Sequence, residues 1–252
     1  MSLIEAIFLG IVQGLTEFFP VISSGHLILV QHLLGFEDLK KYILFDLFCH
    51  LGTLGALATV LRKQIKDALF DPVRRNQLLL ATLPLFPLML LLKPIKSLFS
   101  DPHLIGYCFL ITSLILFIGQ KWSKRRESGT PFKDALWIGL SQALAIIPGI
   151  SRSGSTISAA FLRGWDPKEA VYFSFILSIP TVLGGIALET IKLKESPAAD
   201  ISPFAYLLGA LFAWGIGVFA LKLLLRIVGT AKFQLFTWYT AIIGIYALFL
   251  FN

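Results

Sequence analysis

The stretch that decides the fold runs from Gln13 to His26 and reads QGLTEFFPVISSGH. An apolar helix runs into Pro20, which lacks a backbone donor and ends the helix. Two serines, a glycine and His26 follow, and apolar sequence continues on both sides. Burying polar groups without partners costs several kcal/mol each. These residues therefore either face water at the end of a soluble core or form a site inside a membrane.

The composition decides between these two settings. The chain has 252 residues, of which 56% are hydrophobic and 15% are charged, whereas soluble domains carry about 25% charged residues. We therefore expect one all-α integral membrane domain over residues 1–252. The net charge of +7 comes mostly from short loops between apolar runs, which is typical of orientation signals and not of nucleic-acid binding. Cys49 and Cys108 lie in apolar runs and predict buried thiols without a disulfide.

Six apolar stretches are long enough to cross a bilayer as helices: residues 42–61, 76–92, 103–120, 170–191, 203–221 and 233–251. Pro84 and Pro87 should kink the second of these, and residues 62–75 should form a polar loop. Residues 3–36 and 134–164 differ, because each is a pair of shorter apolar pieces separated by a proline and small residues. These two segments predict re-entrant helical hairpins that enter and leave on one face.

The second half of the chain repeats the first. The break after Pro20 corresponds to residues 148–154, which read PGISRSG, and an offset of 129 pairs Gly25 with Gly154 and Gly35 with Gly164. We predict repeat A over about residues 1–120, repeat B over about 134–252, and a basic loop, 121–133, between them. One hairpin and three crossings in each repeat require inverted topology, as in many transporters.

Basic residues predict the orientation independently. Loops 62–75, 121–133, 163–169 and 222–233 share one face in this topology and carry 15 Lys and Arg, against 6 in loops 37–41, 93–102 and 191–202. The positive-inside rule puts the first set in the cytoplasm. Both termini then face outward, and the two hairpins enter from opposite faces. We expect their tips, at residues 23–26 and 151–153, to meet inside the membrane.

Ionisable residues at membrane depth are candidates for a functional site. Gln13 and Glu17 are four residues apart and share a helix face. Arg152 follows a Pro-Gly turn at a helix start, where backbone N–H groups favour an anion, and its guanidinium suits a phosphate. The hydroxyls nearby, which we expect to assist in phosphate binding, belong to Ser24, Ser151, Ser153 and Thr156.

This set of groups suits attack on a phosphorus that bears several negative charges. The oxygens of Gln13 and Glu17, together with phosphate oxygens, are typical ligands of Mg²⁺ or Ca²⁺. His26 lies near Ser23 and can act as a general base or acid. The attacking group stays open between Ser23, His26 and a metal-bound water, and Ser24 is able to replace Ser23. The apolar setting implies a lipid phosphate or diphosphate as the substrate.

The chain resembles the undecaprenyl-diphosphate phosphatases, also called bacitracin resistance proteins. The resemblance covers the whole chain and is carried by Gln13-xxx-Glu17, by residues 20–26 and by residues 148–156, PGISRSGST. The second signature matches fully. In the first, the family reads Pro-hydrophobic-Ser-Ser-Thr-Gly-His, and this chain has Ile22 and Ser24 in place of the first Ser and the Thr.

The resemblance implies a bacterial inner-membrane enzyme with its active site open to the outer face. It implies that the enzyme hydrolyses undecaprenyl diphosphate to the monophosphate and phosphate, which recycles the carrier for cell-wall synthesis and confers bacitracin resistance. It further implies a divalent metal and catalytic roles for Glu17, Ser23, His26 and Arg152.

Other interpretations were compared with this one. The second large family of membrane lipid phosphatases needs a histidine after the arginine, and no histidine follows Arg152. A polyprenyl-phosphate flippase without hydrolysis would also use inverted repeats, but it has less need of a carboxylate beside the phosphate site. Asp46 and His50 are four residues apart, and we expect them to pack between helices or to support the site indirectly. The oligomeric state is not predictable from these patterns.

Overall fold

The computed structural model describes residues 1–36, 38–89, 104–123, 131–147, 149–192 and 201–251. The regular structure in these ranges is helical, with two short 3₁₀ segments, Leu39–Tyr42 and Ala231–Phe233. The α-helices are α1 (Leu3–Phe18), α2 (Ser23–Leu33), α3 (Ile43–Val60), α4 (Arg62–Phe70), α5 (Pro72–Thr82), α6 (Leu85–Met89), α7 (Leu104–Lys121), α8 (Pro131–Leu144), α9 (Arg152–Leu162), α10 (Pro167–Lys192), α11 (Pro203–Ile227) and α12 (Gln234–Phe251). The predicted all-α class is confirmed.

Five segments of the described chain are long and apolar enough to cross a membrane: Ile43–Val60, Leu104–Lys121, Pro167–Ile191, Pro203–Ile227 and Ala231–Phe251. They correspond to five of the six predicted crossings, and they define a multi-pass membrane protein. The sixth predicted crossing, 76–92, starts within α5, which ends at Thr82 just before Pro84. The short α6 follows, and the remainder of that stretch lies outside the described residues.

The prediction of a polar loop over residues 62–75 is wrong. This segment contains α4 and the start of α5. Asp71 caps α5, since its side chain accepts a hydrogen bond from Val73 N at 2.9 Å, and Pro72 occupies the first helical position. Polar sequence can therefore form a helix when a side chain caps its first N–H groups.

Several predicted features fall on residues outside the described ranges. These are Pro148 of the second break, the loop 93–102, and most of the loops 121–133 and 191–202. The pairing of repeats A and B, the single-domain organisation and the re-entrant path of the hairpins remain predictions.

The two short helices α2 and α9 have the same form. Each has 11 residues, and each lies 129 positions from the other. Gly35 and Gly164 follow them with φ of 80° and 83°, a left-handed conformation that favours glycine. The N–H groups of Phe36 and Trp165 then donate to the carbonyl five residues earlier, at 3.0 and 3.1 Å. The offset of 129 residues in the sequence therefore relates two helices that have the same length and the same C-terminal glycine motif.

The chain divides into two compact units, and the first comprises Met1–Phe18, Ser23–Arg62 and Ser178–Leu223. Small residues bring its helices into close contact. A Cβ added to Gly10 of α1 would lie 2.5 Å from the carbonyl oxygen of Gly209 in α11, and one added to Gly52 of α3 would lie 2.2 Å from that of Ala210. Lipid supplies no hydrophobic drive between helices, so such close van der Waals contact is what holds them together.

The second unit comprises Phe19–Ile22, Lys63–Leu177 and Leu224–Asn252. Its helices α7 and α12 are joined by a hydrogen bond from Ser113 Oγ to the Thr237 carbonyl, at 2.8 Å. The start of α8 is tied to the end of α9 by Asp134, a fully buried carboxylate. Its oxygens accept from Arg163 Nε at 2.6 Å and from Trp165 Nε1 at 3.1 Å. Both predicted thiols, Cys49 and Cys108, are buried and form no disulfide.

We predict that Gly10→Ala destabilises the protein by about 1–3 kcal/mol, because the added methyl meets the backbone of α11 and cannot be accommodated by a side-chain rotation. The measurement is thermal unfolding in detergent. Gly215→Ala is the matched control, since a Cβ at Gly215 of α11 would meet no atom within 4 Å. Equal unfolding temperatures for the two variants would contradict the close contact between α1 and α11.

Candidate active site

A buried acidic cluster lies at the end of α1. The carboxylate oxygen Oε2 of Glu17 accepts hydrogen bonds from Gln13 Nε2 at 3.1 Å and from Ser23 Oγ at 3.0 Å. His50 Nε2 of α3 lies 3.8 Å from the same oxygen. Glu17 is 8% exposed and Gln13 is fully buried. Gln13 lies beside Glu17 because the two residues are one helical turn apart. The chain reverses between α1 and α2, which brings Ser23 within hydrogen-bond distance of the carboxylate.

His50 joins this cluster through the geometry of its ring. Its Nδ1 lies 2.8 Å from the backbone carbonyl of Asp46, and a carbonyl only accepts, so Nδ1 carries the proton of that bond. Nε2 is then the nitrogen directed toward Glu17. The Asp46 side chain accepts from Gln31 Nε2 at 3.0 Å, and Gln31 is buried in α2. The sequence predicts a supporting or packing role for His50 and makes no prediction for Gln31, whose only signal is an amide in an apolar helix.

The start of α2 presents the remaining residues of the first predicted tip. Ser23 is half-buried, Ser24 is exposed, and His26 is buried with 7% exposure. Ser23 and His26 are three residues apart and lie on neighbouring positions of one helix face. This arrangement gives α2 a hydroxyl bound to a carboxylate and an imidazole one turn later.

The acidic cluster fits a hard divalent cation. Gln13 Oε1 is a buried acceptor without a hydrogen-bond donor in the described part of the chain, and the Glu17 carboxylate is adjacent. Mg²⁺ and Ca²⁺ take such amide and carboxylate oxygens. The described ranges hold no group of three or more His, Cys, Asp and Glu arranged for a metal ion. An ion here would therefore complete its shell with substrate oxygens and water.

The second predicted tip forms the start of α9. Ser151 is the N-cap, because its Oγ accepts from the N–H of Gly154 at 3.0 Å, and its own N–H donates to Thr112 Oγ1 at 3.1 Å. Arg152 is the first helical residue and is half-buried. The guanidinium is thus carried on a capped helix start, where the helix dipole also favours an anion.

The neighbouring hydroxyls hold the helix in place. Ser153 Oγ donates to the carbonyl of Phe19 at 3.3 Å, so the break before Ser23 is fastened within the second unit. Thr156 Oγ1 bonds the carbonyl of Arg152 at 2.9 Å and lies 2.5 Å from Ser174 Oγ. Thr156 is 1% exposed. These internal bonds show how the first turn of α9 is positioned, and phosphate binding by Ser24, Ser151, Ser153 and Thr156 remains a prediction.

Ile22 marks a difference between the two helix starts. The offset of 129 aligns it with Ser151, the residue whose side chain caps α9. An isoleucine side chain has no oxygen to accept from the N–H groups at the start of α2. Ile22 is instead 2% exposed and packs in the core. Ile22 therefore contributes buried apolar area where Ser151 contributes a helix cap.

These features define a class, a helical multi-pass membrane protein with a buried acidic cluster and an arginine at a capped helix start. A family model described as "Bacitracin resistance protein BacA" matches residues 6–246. The chain belongs to this family.

Curated relatives cover nearly the whole chain. The chain is 46% identical to the undecaprenyl-diphosphatase of Protochlamydia amoebophila over 97% of both chains. It is 39% identical to the undecaprenyl-diphosphatase of Carboxydothermus hydrogenoformans, over 97% of this chain and 96% of the relative. It is 36% identical to undecaprenyl-diphosphatase 3 of Bacillus cereus, over 99% of this chain and 98% of the relative.

Proposed function

We propose that this protein hydrolyses undecaprenyl diphosphate to undecaprenyl phosphate and inorganic phosphate. The reaction regenerates the lipid carrier for peptidoglycan synthesis, and it confers bacitracin resistance by removing the diphosphate. Full-length similarity to relatives named for this activity supports the substrate. The observation that carries the chemistry is the hydrogen bond from Ser23 Oγ to Glu17 Oε2 at 3.0 Å.

Ser23 is the proposed nucleophile. Glu17 Oε2 accepts the hydroxyl proton as Ser23 Oγ attacks the terminal phosphorus. A new P–O bond forms to Ser23, the bridging P–O bond breaks, and undecaprenyl phosphate leaves with the bond's electron pair. Water then attacks the phosphoserine and gives its proton to His26, while Glu17 returns the first proton to Ser23 Oγ as the Ser23–P bond breaks. Phosphate and free Ser23 result. The short Ser23–Glu17 distance and the shared face of Ser23 and His26 support these roles.

Arg152 binds the negatively charged oxygens of the transferred phosphoryl group. A guanidinium offers two parallel N–H donors to a phosphate, and a capped helix start adds a favourable dipole. Ser151 and Ser153 orient this residue through the bonds of the first turn of α9. Charge stabilisation of this kind supplies a large part of catalysis in phosphoryl transfer.

A divalent cation, Mg²⁺ or Ca²⁺, is the proposed cofactor, and Glu17 and Gln13 would hold it. When bound, it would neutralise charge on the diphosphate oxygens. The buried Gln13 Oε1, which lacks a donor among the described residues, supports this assignment. His50 Nε2 lies 3.8 Å from Glu17 Oε2 and is a neighbour of the proposed site.

We predict that the purified protein releases phosphate from undecaprenyl diphosphate and that EDTA stops the release until Mg²⁺ or Ca²⁺ is restored.

Glu17→Gln and Arg152→Lys should each lower kcat/KM by about 100-fold or more, because each removes a group that stabilises the transition state. Glu5→Gln, on the same helix, and Arg75→Lys, an exposed arginine, are the controls. Movement of the lipid carrier across vesicles without phosphate release would instead identify a flippase. Phosphate release that persists in EDTA would contradict the proposed metal cofactor.

We predict that substrate labelled with ³²P in its terminal phosphate leaves label on the protein after acid quench. The label should map to Ser23 and be absent in Ser23→Ala, whereas Ser24→Ala should retain it, because Ser24 is exposed. Rapid turnover without any protein-bound label, or activity retained in Ser23→Ala, would contradict Ser23 as the attacking group. His26 or an activated water would then be the attacking group.

The proposed membrane arrangement has six crossings and two re-entrant hairpins, with both termini on the outer face of the inner membrane. The short lengths of α2 and α9, about 16 Å each at 1.5 Å per residue, support hairpins that do not span. We predict that an impermeant maleimide labels Lys41→Cys in intact spheroplasts, and labels Lys66→Cys after lysis only. Both positions are exposed and both native thiols are buried, so the reverse pattern would invert the topology.

A further inference from the structure

The second unit contains an apolar groove, which we call the α9 groove. Its volume is about 270 Å³, and its floor and walls come from α7, α8 and α9. The residues are Ile115, Ile118, Trp137, Leu140, Ser141, Leu144, Ser155, Ser158, Ala159 and Leu162. Arg152, Ser151, Ser153 and Thr156 are not among the lining residues.

The surface of the groove is hydrocarbon despite its serines. Ser155 Oγ donates to the carbonyl of Ser151 at 2.8 Å, and Ser141 Oγ donates to the carbonyl of Ile138 at 2.7 Å. Both hydroxyls are thereby turned back onto their own helices. Ser158 and Ala159 have small side chains, which leave space along α9 for a hydrocarbon chain.

The groove continues from the position of Arg152. Ser155, Ser158, Ala159 and Leu162 follow Arg152 at helical spacing on one broad face of α9. At 1.5 Å per residue, Ser155 lies about 4.5 Å along the helix axis from Arg152, and Leu162 about 15 Å. A lipid whose phosphate contacts Arg152 would therefore have the first part of its tail beside the entrance of the groove.

The outer wall of the groove faces the surroundings of the protein. Trp137, Leu140 and Leu144 of α8 are 51%, 48% and 64% exposed. On a multi-pass membrane protein such apolar exposure is toward lipid. The groove can thus receive a chain from the bilayer without passage through water.

We propose that the α9 groove holds the first isoprene units of the polyprenyl tail while the diphosphate is bound, an inference that rests on the proposed function. Bilayer and groove are equally apolar, so transfer between them contributes little free energy. The groove instead fixes the direction in which the tail leaves the diphosphate, and so orients the terminal phosphorus for attack.

The test fills the groove and leaves the phosphate groups intact. Leu140→Trp adds an indole to the outer wall, and Leu136→Trp is the matched control, one turn earlier on α8 and outside the lining. Leu136 is 41% exposed, close to Leu140. For Leu140→Trp we expect kcat/KM for undecaprenyl diphosphate to fall at least about tenfold, with little change for dimethylallyl diphosphate. Leu136→Trp should resemble the parent protein on both substrates.

A second measurement locates the tail directly. A polyprenyl phosphate with a diazirine in its first isoprene units should crosslink to peptides of α7, α8 or α9, and Leu140→Trp should reduce that yield. Diazirine-labelled phosphatidylglycerol should not compete for these peptides. Equal activity of the two tryptophan variants on the long substrate, or crosslinks elsewhere, would overturn the groove assignment. No phosphate release by the parent protein would overturn the proposed function instead.

Discussion

The structure of the first unit depends on one carboxylate oxygen, Glu17 Oε2. A charge in an apolar interior is tolerated only when donors surround it. Gln13 Nε2 and Ser23 Oγ donate to this oxygen, and His50 Nε2 lies 3.8 Å from it. Gln13 belongs to α1, Ser23 to α2 and His50 to α3. The same oxygen therefore accepts bonds from Gln13 and Ser23 and links α1 to α2, which carry residues of the proposed active site. Ser23 is held by the group that is proposed to activate it, so positioning and reactivity come from a single hydrogen bond.

Close helix packing makes this arrangement possible. α1 carries Gly10 and Gly14 on the face toward α11, where Gly209 and Ala213 leave room for its backbone. Gln13 and Glu17 follow these glycines at helical spacing, so one buried face of α1 carries both the close contact and the acidic cluster. In the second unit the corresponding task is done by polar groups, because Asp134 fastens the base of the α8–α9 pair while Ser151 caps α9. Glycine contacts thus position α1 in the first unit, and buried hydrogen bonds position the start of α9 in the second.

Much of this could be predicted from the sequence, because a bilayer imposes a length on apolar segments and forbids polar groups without partners. Five crossings, the breaks after residues 18 and 144, and the partnership of Gln13 with Glu17 depend on local spacing alone. α4 was missed because charge alone was used to assign residues 62–75 to a loop, although Ile65, Ala68 and Leu69 recur at helical spacing. The approach of His50 to Glu17, the Gln31–Asp46 bond and the α9 groove were not predictable, because each depends on how distant helices pack.

The shared geometry of α2 and α9 also bears on how such a chain arises. Two helices of equal length end on glycines of nearly equal φ, 129 residues apart, yet one begins with a serine beside a carboxylate and the other with an arginine. Duplication of a half-length gene followed by divergence of a few codons would leave this record. The backbone of the ancestor would be kept as a frame, and the two copies would specialise, one toward proton transfer and the other toward anion binding. In that history Ile22 and Ser151 are a position where the copies differ, one adding to the apolar core and the other capping its helix.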